Sequence, residues 1–185
     1  MLAQIIPSRS TRFIIVGFLL AFAVAGRLLP HPANFTPLYA AMLFAATVLG
    51  GGYALLLAVA AMAITDPILG LYEPPVMAAV YLCLLLMAGL GRACRGRGWG
   101  SVVGATLLGS TVFFLVTNAA VAWFTPYYAH TFDGLLTSYA MALPFWRNTL
   151  LGDFIYTGML FGAYAAVVAL RSREYGVGSR GIVEV

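Results

Sequence analysis

Six stretches of the chain carry almost no charge, at about 13–29, 36–50, 53–71, 76–91, 101–124 and 149–170. Each approaches or reaches the roughly 17–25 apolar residues that a membrane-crossing helix needs. The pattern predicts an all-α membrane protein with six transmembrane helices in one integral domain, residues 1–185. Alternate connections differ in kind. One set is short or basic, such as Gly50-Gly51-Gly52 and "RACRGRG". The other set is polar and aromatic: "RLLPHPANFT" (27–36), "TDPILGLYEPP" (65–75) and the long "TPYYAHTFDGLLTSYAMALPFWRNT" (125–149). The last is too long for a tight turn. It is expected to form a structured lid, about 125–148, or a re-entrant hairpin lining a cavity.

Composition sharpens this. Of the 185 residues, 62% are apolar and 9% are charged, where a soluble domain carries roughly 25%. No room remains for a separate soluble catalytic domain. All ten basic residues are arginine, and eight of them (Arg9, Arg12, Arg92, Arg95, Arg97, Arg171, Arg173 and Arg180) fall on one side of a six-span topology. By the positive-inside rule that side is the cytoplasm, with both termini there. The net charge of +4 is therefore a membrane signal and not one for nucleic acid. The first span also resembles a secretory signal, with two arginines before an apolar run and the small residues of "AFAVAG". It is expected to be kept as a membrane anchor.

Few residues can carry chemistry. Asp66 closes the third span ahead of Pro67, where capping a helix end would account for it. Asp153 lies about a turn inside the sixth span, at a depth where a carboxylate normally meets a partner or a cavity. Arg147 and Arg27 are its candidate partners, and dipole stabilisation at a helix N-terminus is the simpler account. Asn118 and Thr117 sit deeper, where hydrogen bonding between helices would explain them. Cys83 lies in an apolar run, either as a small buried hydrophobe or as a soft metal ligand. Cys94 stands among arginines. His31 and His130 lack a partner spaced for zinc. There is no G-x-x-x-x-G-K-[ST] loop, no H-E-x-x-H and no G-x-S-x-G, which argues against ATP hydrolysis by this chain, zincin chemistry and that class of serine hydrolase.

The stretches "RLLPHPANFTPLYAAMLFAA", "TDPILGLY", "VYLC", "FFLVTNAAVAW" and "ALPFWRNTLLGDFIYTGMLFG" resemble a bacterial family related to the substrate-binding S components of energy-coupling factor (ECF) transporters. Within it the chain looks most like the solitary cobalamin transporters (BtuM). The likeness runs from about Arg27 to Arg171. It implies an S-component-like bundle in the bacterial inner membrane that binds and takes up cobalamin or a related corrinoid. No intrinsic cofactor is implied, since cobalamin is the substrate. The resemblance further implies a cysteine that ligates the corrin cobalt, and Cys83 at the end of "VYLC" is the matching position. Removal of the upper cyanide, with Cys83 as the catalytic thiolate, would be the one enzymatic step. Arg147 would meet a phosphate or corrin amide. Asp66 would accept from corrin amides, Tyr81 would pack on the ring, and Asn34, Thr36, Asn118 and Asn148 would serve as amide partners. Docking on an ECF energising module would use Ala21 and Ala25, extended backwards by Gly17. Other readings stay open: an S-component-like transporter for another vitamin or precursor, an intramembrane enzyme using Asp153, Asp66 and Arg147 on a lipid-linked substrate, or a structural membrane subunit.

Overall fold

The computed structural model describes residues 5–6, 8–174 and 183–184. They form six helices: α1 (Arg9–Leu28), α2 (Leu38–Val48), α3 (Gly51–Leu69), α4 (Pro74–Cys94), α5 (Trp99–Phe124) and α6 (Phe132–Glu174). A two-residue parallel pairing joins Ile5–Ile6 to Val183–Glu184. Five of the helices are long and apolar enough to cross a membrane. The chain is a multi-pass membrane protein.

The exception is α2. Its 11 residues rise only about 16 Å, half of the roughly 30 Å hydrocarbon core. It is apolar on every side, so it must be covered on every side. Ten of its residues are buried. Helices α1, α3, α4 and α6 all pack against it. By contrast α1 buries only the narrow stripe of Val16, Leu19 and Ala23 and turns Phe13, Ile14 and Phe18 outward. Outward apolar residues are what a bilayer requires and need no protein partner.

A helix this short cannot bring the chain back from the membrane surface by itself. The connection 29–37 turns inward at its end: residues 29–34 are exposed, Phe35 and Thr36 half-buried and Pro37 buried. Pro37 lies against Gly26, where a Cβ would overlap the proline ring. The Phe35 ring packs on Tyr156 with centroids 5.4 Å apart, and Tyr156 in turn meets Phe22 of α1. Asn148 donates to the Ala33 carbonyl at 3.1 Å and ties the segment to α6. The left-handed turn within it falls on Asn34 (φ 62°), one of the few side chains that tolerates that region.

The expected lid is different. Residues 125–131 alone link α5 to α6, and the rest of the segment is the first part of a 43-residue helix. Thr131 starts it: the Thr131 hydroxyl accepts from Gly134 N–H at 3.1 Å, and Asp133 sits in the first turn. Both favour a helix N-terminus. Pro144 lies inside α6, so polar and proline content did not break the helix there.

The register between α5 and α6 slips across that proline. Ser138 donates to the Asn118 carbonyl at 3.1 Å, and further along Ser110 donates to Asp153 at 2.5 Å. Between these ties α6 advances fifteen residues and α5 only eight. At 1.5 Å per residue the excess is about 10 Å. The two helices cannot run straight side by side, and the missing hydrogen bond at Pro144 is where bending is cheapest. Trp146 covers the gap by packing on Phe114.

Close helix contact depends on glycine at two points. A Cβ on Gly91 would stand 2.5 Å from Ala46 Cβ and 2.8 Å from the Leu43 carbonyl, and a Cβ on Gly109 would run into Met87. Gly91→Ala should therefore push α4 off α2 and destabilise the bundle by about 1–3 kcal/mol. Gly89→Ala, with nothing within 4 Å of its added methyl, should change stability by less than about 0.5 kcal/mol. Unfolding of the two variants in the same detergent checks the pair.

Candidate functional site

The 29–37 connection, the C-terminal ends of α1 and α3 and the start of α4 surround a cavity of about 350 Å³ at one end of the bundle. The alternating helix directions put Arg92, Arg95 and Arg97 at the other end. The polar wall is Arg27, His31, Asn34, Thr36, Tyr72 and Thr149, and the facing wall includes Tyr39, Met62, Val80 and Phe113. A second space of about 200 Å³ adjoins it, sharing Asn34, Phe113 and Thr149. It lies beside the α6 bend, between Asn118 and Trp146.

Arg27 dominates the electrostatics. Its guanidinium donates through Nη2 to Asp66 Oδ1 at 2.8 Å, and Nη1 lies against the Met62 sulfur. The side chains are 15% and 4% exposed. Asp66 is thus no surface cap. The turn before Pro67 holds it inside α3, where it fixes the end of α1 to the end of α3. It stands behind Arg27 and is not part of the cavity wall. Asp66 Oδ2 is buried without a hydrogen-bond partner, and Tyr81 stands close to this carboxylate from α4. Tyr72, in the link between α3 and α4, has its phenol pushed up to about 12, first by burial and then by the negative charge of Asp66. It stays a neutral hydroxyl, able both to donate and to accept.

Tyr39 is the second polar centre. It follows Pro37 at the first turn of α2, packs on Phe113 with ring centroids 4.9 Å apart, and lines the cavity. Its hydroxyl is buried and has no hydrogen-bond partner. Native interiors rarely leave such a group unmet unless a ligand or water serves it. On the exposed side of the cavity His31 Nδ1 lies 2.8 Å from the Pro32 carbonyl.

The sequence expectations divide. Asn34 and Thr36 line the main cavity and Asn118 lines the adjoining one. Asn148 is a strut to Ala33. Arg147 is exposed and lines neither space. Asp153 pairs with neither Arg147 nor Arg27: the latter is taken by Asp66, and Asp153 receives the Ser110 hydroxyl instead. Asp66, Asp153 and Arg147 therefore do not converge on one reacting atom. Cys83 is 3% exposed in the core, one turn below the cavity-lining Val80. Cys94 is a buried free thiol that donates to the Ser101 carbonyl at 3.2 Å. Among the described residues no three of His, Cys, Asp and Glu gather as a metal site. Gly17, Ala21 and Ala25 lie on the exposed side of α1.

Sequence reasoning missed Tyr39, Tyr72 and Thr149 as wall residues. Tyr39 had one signal, a lone hydroxyl directly after "NFTPL" in an otherwise aliphatic run. Thr149 had another, since it stands four residues before Asp153 and so on the same helix face.

A family model described as a family of unknown function (DUF6580) matches residues 7–175. The chain belongs to that family. No curated protein and no solved structure matches it.

Removing one partner of the buried ion pair leaves a charge stranded. Asp66→Ala and Arg27→Ala should each destabilise the protein by about 3–5 kcal/mol. The double replacement of Arg27→Ala with Asp66→Ala should cost less than the two single losses together. A double-mutant cycle on unfolding in detergent measures the coupling.

Proposed function

We propose that this member of the family is a substrate-binding uptake protein of the bacterial inner membrane, which captures a molecule of vitamin size at the Arg27 end of the bundle. The cavity carries this reading. Its volume falls at the lower end of the roughly 300–1,000 Å³ of ligand pockets. It combines one cation, neutral hydroxyls and amides, an aromatic face and the unmet Tyr39 hydroxyl. Such a wall suits a small planar ligand with polar groups at its edge. The positive-inside rule supports an outward opening, because the arginine-rich connections lie at the opposite end. The resemblance of the "NFTP" and "PFWRNTLLGD" blocks to ECF S components supports the same function. The exposed Gly17, Ala21 and Ala25 of α1 leave a small-residue face free for an energising subunit, where small residues let helices approach closely.

Cobalamin is the specific form of this proposal that the resemblance names. A corrinoid is far larger than the cavity, and its cobalt would reach the Cys83 thiol only if Val80 and the neighbouring wall moved aside. In that open form the thiolate would be the soft ligand of the cobalt of a bound substrate.

Two measurements separate the class from the specific ligand. Small molecules extracted from the purified protein and identified by mass spectrometry should include a cavity-sized compound. Its recovery should fall by up to about tenfold in Tyr39→Phe, which removes one neutral hydrogen bond from the cavity wall. An extract with no such compound would sink the binding reading. For the corrinoid, protein purified in cobalamin should show shifted corrin bands that Cys83→Ala lacks, and a colourless protein would leave Cys83 as packing.

A further inference from the structure

Below the cavity lies a carboxyl that ligand binding does not use. Asp153 is 2% exposed near the middle of the bundle. Its one side-chain partner is the Ser110 hydroxyl, at 2.5 Å. The ion pair among the described residues is elsewhere, between Arg27 and Asp66. Helix α5, packed along α6, has no titratable residue, and α2 contributes only Tyr39. On the α1 side Asp153's neighbour Tyr156 meets the Phe22 ring. An intramembrane carboxylate without a cation is costly and is a recurrent feature of proton relays.

Two further observations connect this group to the cavity. Thr149, Asp153 and Thr157 recur every four residues on one face of α6, each no more than 4% exposed, opposite Ser110 and Thr106 of α5. Thr149 is itself part of the cavity wall. From α2, the unpartnered Tyr39 hydroxyl lines the same cavity and stands within electrostatic range of Asp153, with Cys83, Tyr72 and Arg27 also around it. Simple interhelical glue would need the Asp153–Ser110 bond alone. It would not need a line of hydroxyls ending at an unmet phenol in a cavity.

We propose that Asp153 is a proton-exchange site reached from the cavity through Tyr39 and Thr149. As a proton arrives from the cavity at the Tyr39 oxygen, the phenol releases its own proton inward, across a bridging water, to the Asp153 carboxylate. One O–H bond forms and one breaks at Tyr39, so the phenol is unchanged and the carboxyl gains one proton. Ser110 donates to the charged form and holds it in place. Thr157 and Thr106 continue the hydroxyl line toward the arginine-rich end. The proton site stands on its own geometry, and that its proton drives uptake rests on the function proposed above.

Infrared difference spectroscopy on the full chain in lipid nanodiscs tests this without any ligand. As bulk pH is stepped from acid to alkaline, one component of the protonated-carboxyl absorbance should belong to Asp153, and that component should be missing from the difference spectrum of Asp153→Asn. Asn keeps a hydrogen-bonding side chain for Ser110, so the variant should stay folded. Ser110→Ala keeps the carboxyl and should shift the band without removing it, which covers failure of the first variant. Tyr39→Phe should slow the response to a pH jump by about tenfold or more, the size of effect of a lost proton-transfer group. A difference spectrum that loses no component in Asp153→Asn overturns the proposal. An unchanged rate in Tyr39→Phe overturns the route. A titrating Asp153 in a protein that yields no bound compound would refute uptake and keep the proton site, and the reverse result would refute the proton site alone.

Discussion

An eleven-residue helix with no polar face sets the terms for everything around it. Because α2 offers no side to water or charge, four other helices must enclose it. It reaches only about half the thickness of a bilayer core, and the end of the connection leading into it packs inward, with Phe35 against Tyr156 and Pro37 against Gly26. A loop cannot pack as densely as a helix. The space it leaves beside α1, α3 and α4 is the cavity. The short helix and the cavity are thus one structural event.

The polar groups sort by how the membrane lets them survive. Several hydroxyls are satisfied within their own helix: Thr65, Thr117 and Thr125 each donate to a carbonyl four residues earlier. Such bonds cost nothing in tertiary arrangement and say nothing about function. Arg27 and Asp66 survive by pairing across 39 positions of chain. Tyr39 and Asp153 fit neither class, since one hydroxyl lacks a partner and one carboxyl lacks a cation. Unmet groups that cluster toward one cavity are better explained by something that arrives than by packing.

The helices were legible in the sequence because lipid imposes a single strong rule, and the hydropathy of α1, α3, α4 and α5 obeys it within a few residues. Two elements broke the rule for physical reasons. The apolar run of α2 looks like a span because hydropathy cannot tell a helix that crosses from one that is merely enclosed. Residues 132–148 look like a lid because they are polar and contain Pro144, yet Thr131 and Asp133 start a helix that a single proline bends without ending. Asn34, Thr36 and Asn118, named from the resemblance as amide partners, line the two cavities. The Arg27–Asp66 pair was not legible, because no local spacing links residues on two different helices. The direction of Cys83 was equally out of reach, since either face of α4 suits a thiol.

The ion pair also limits how the site can choose a ligand. Arg27 enters the cavity wall already neutralised by Asp66. An anionic group arriving there must compete with a carboxylate 2.8 Å away, so it gains only the difference between two similar contacts. Charge alone then contributes little affinity. Discrimination falls to the neutral donors and acceptors and to the Tyr39–Phe113 aromatic face, where an unmatched polar group on either side is penalised by the full loss of its hydrogen bonds. A ligand that does draw Arg27 away from Asp66 would loosen the tie between the ends of α1 and α3. Those are two of the walls that close the cavity, so binding and opening would share one bond.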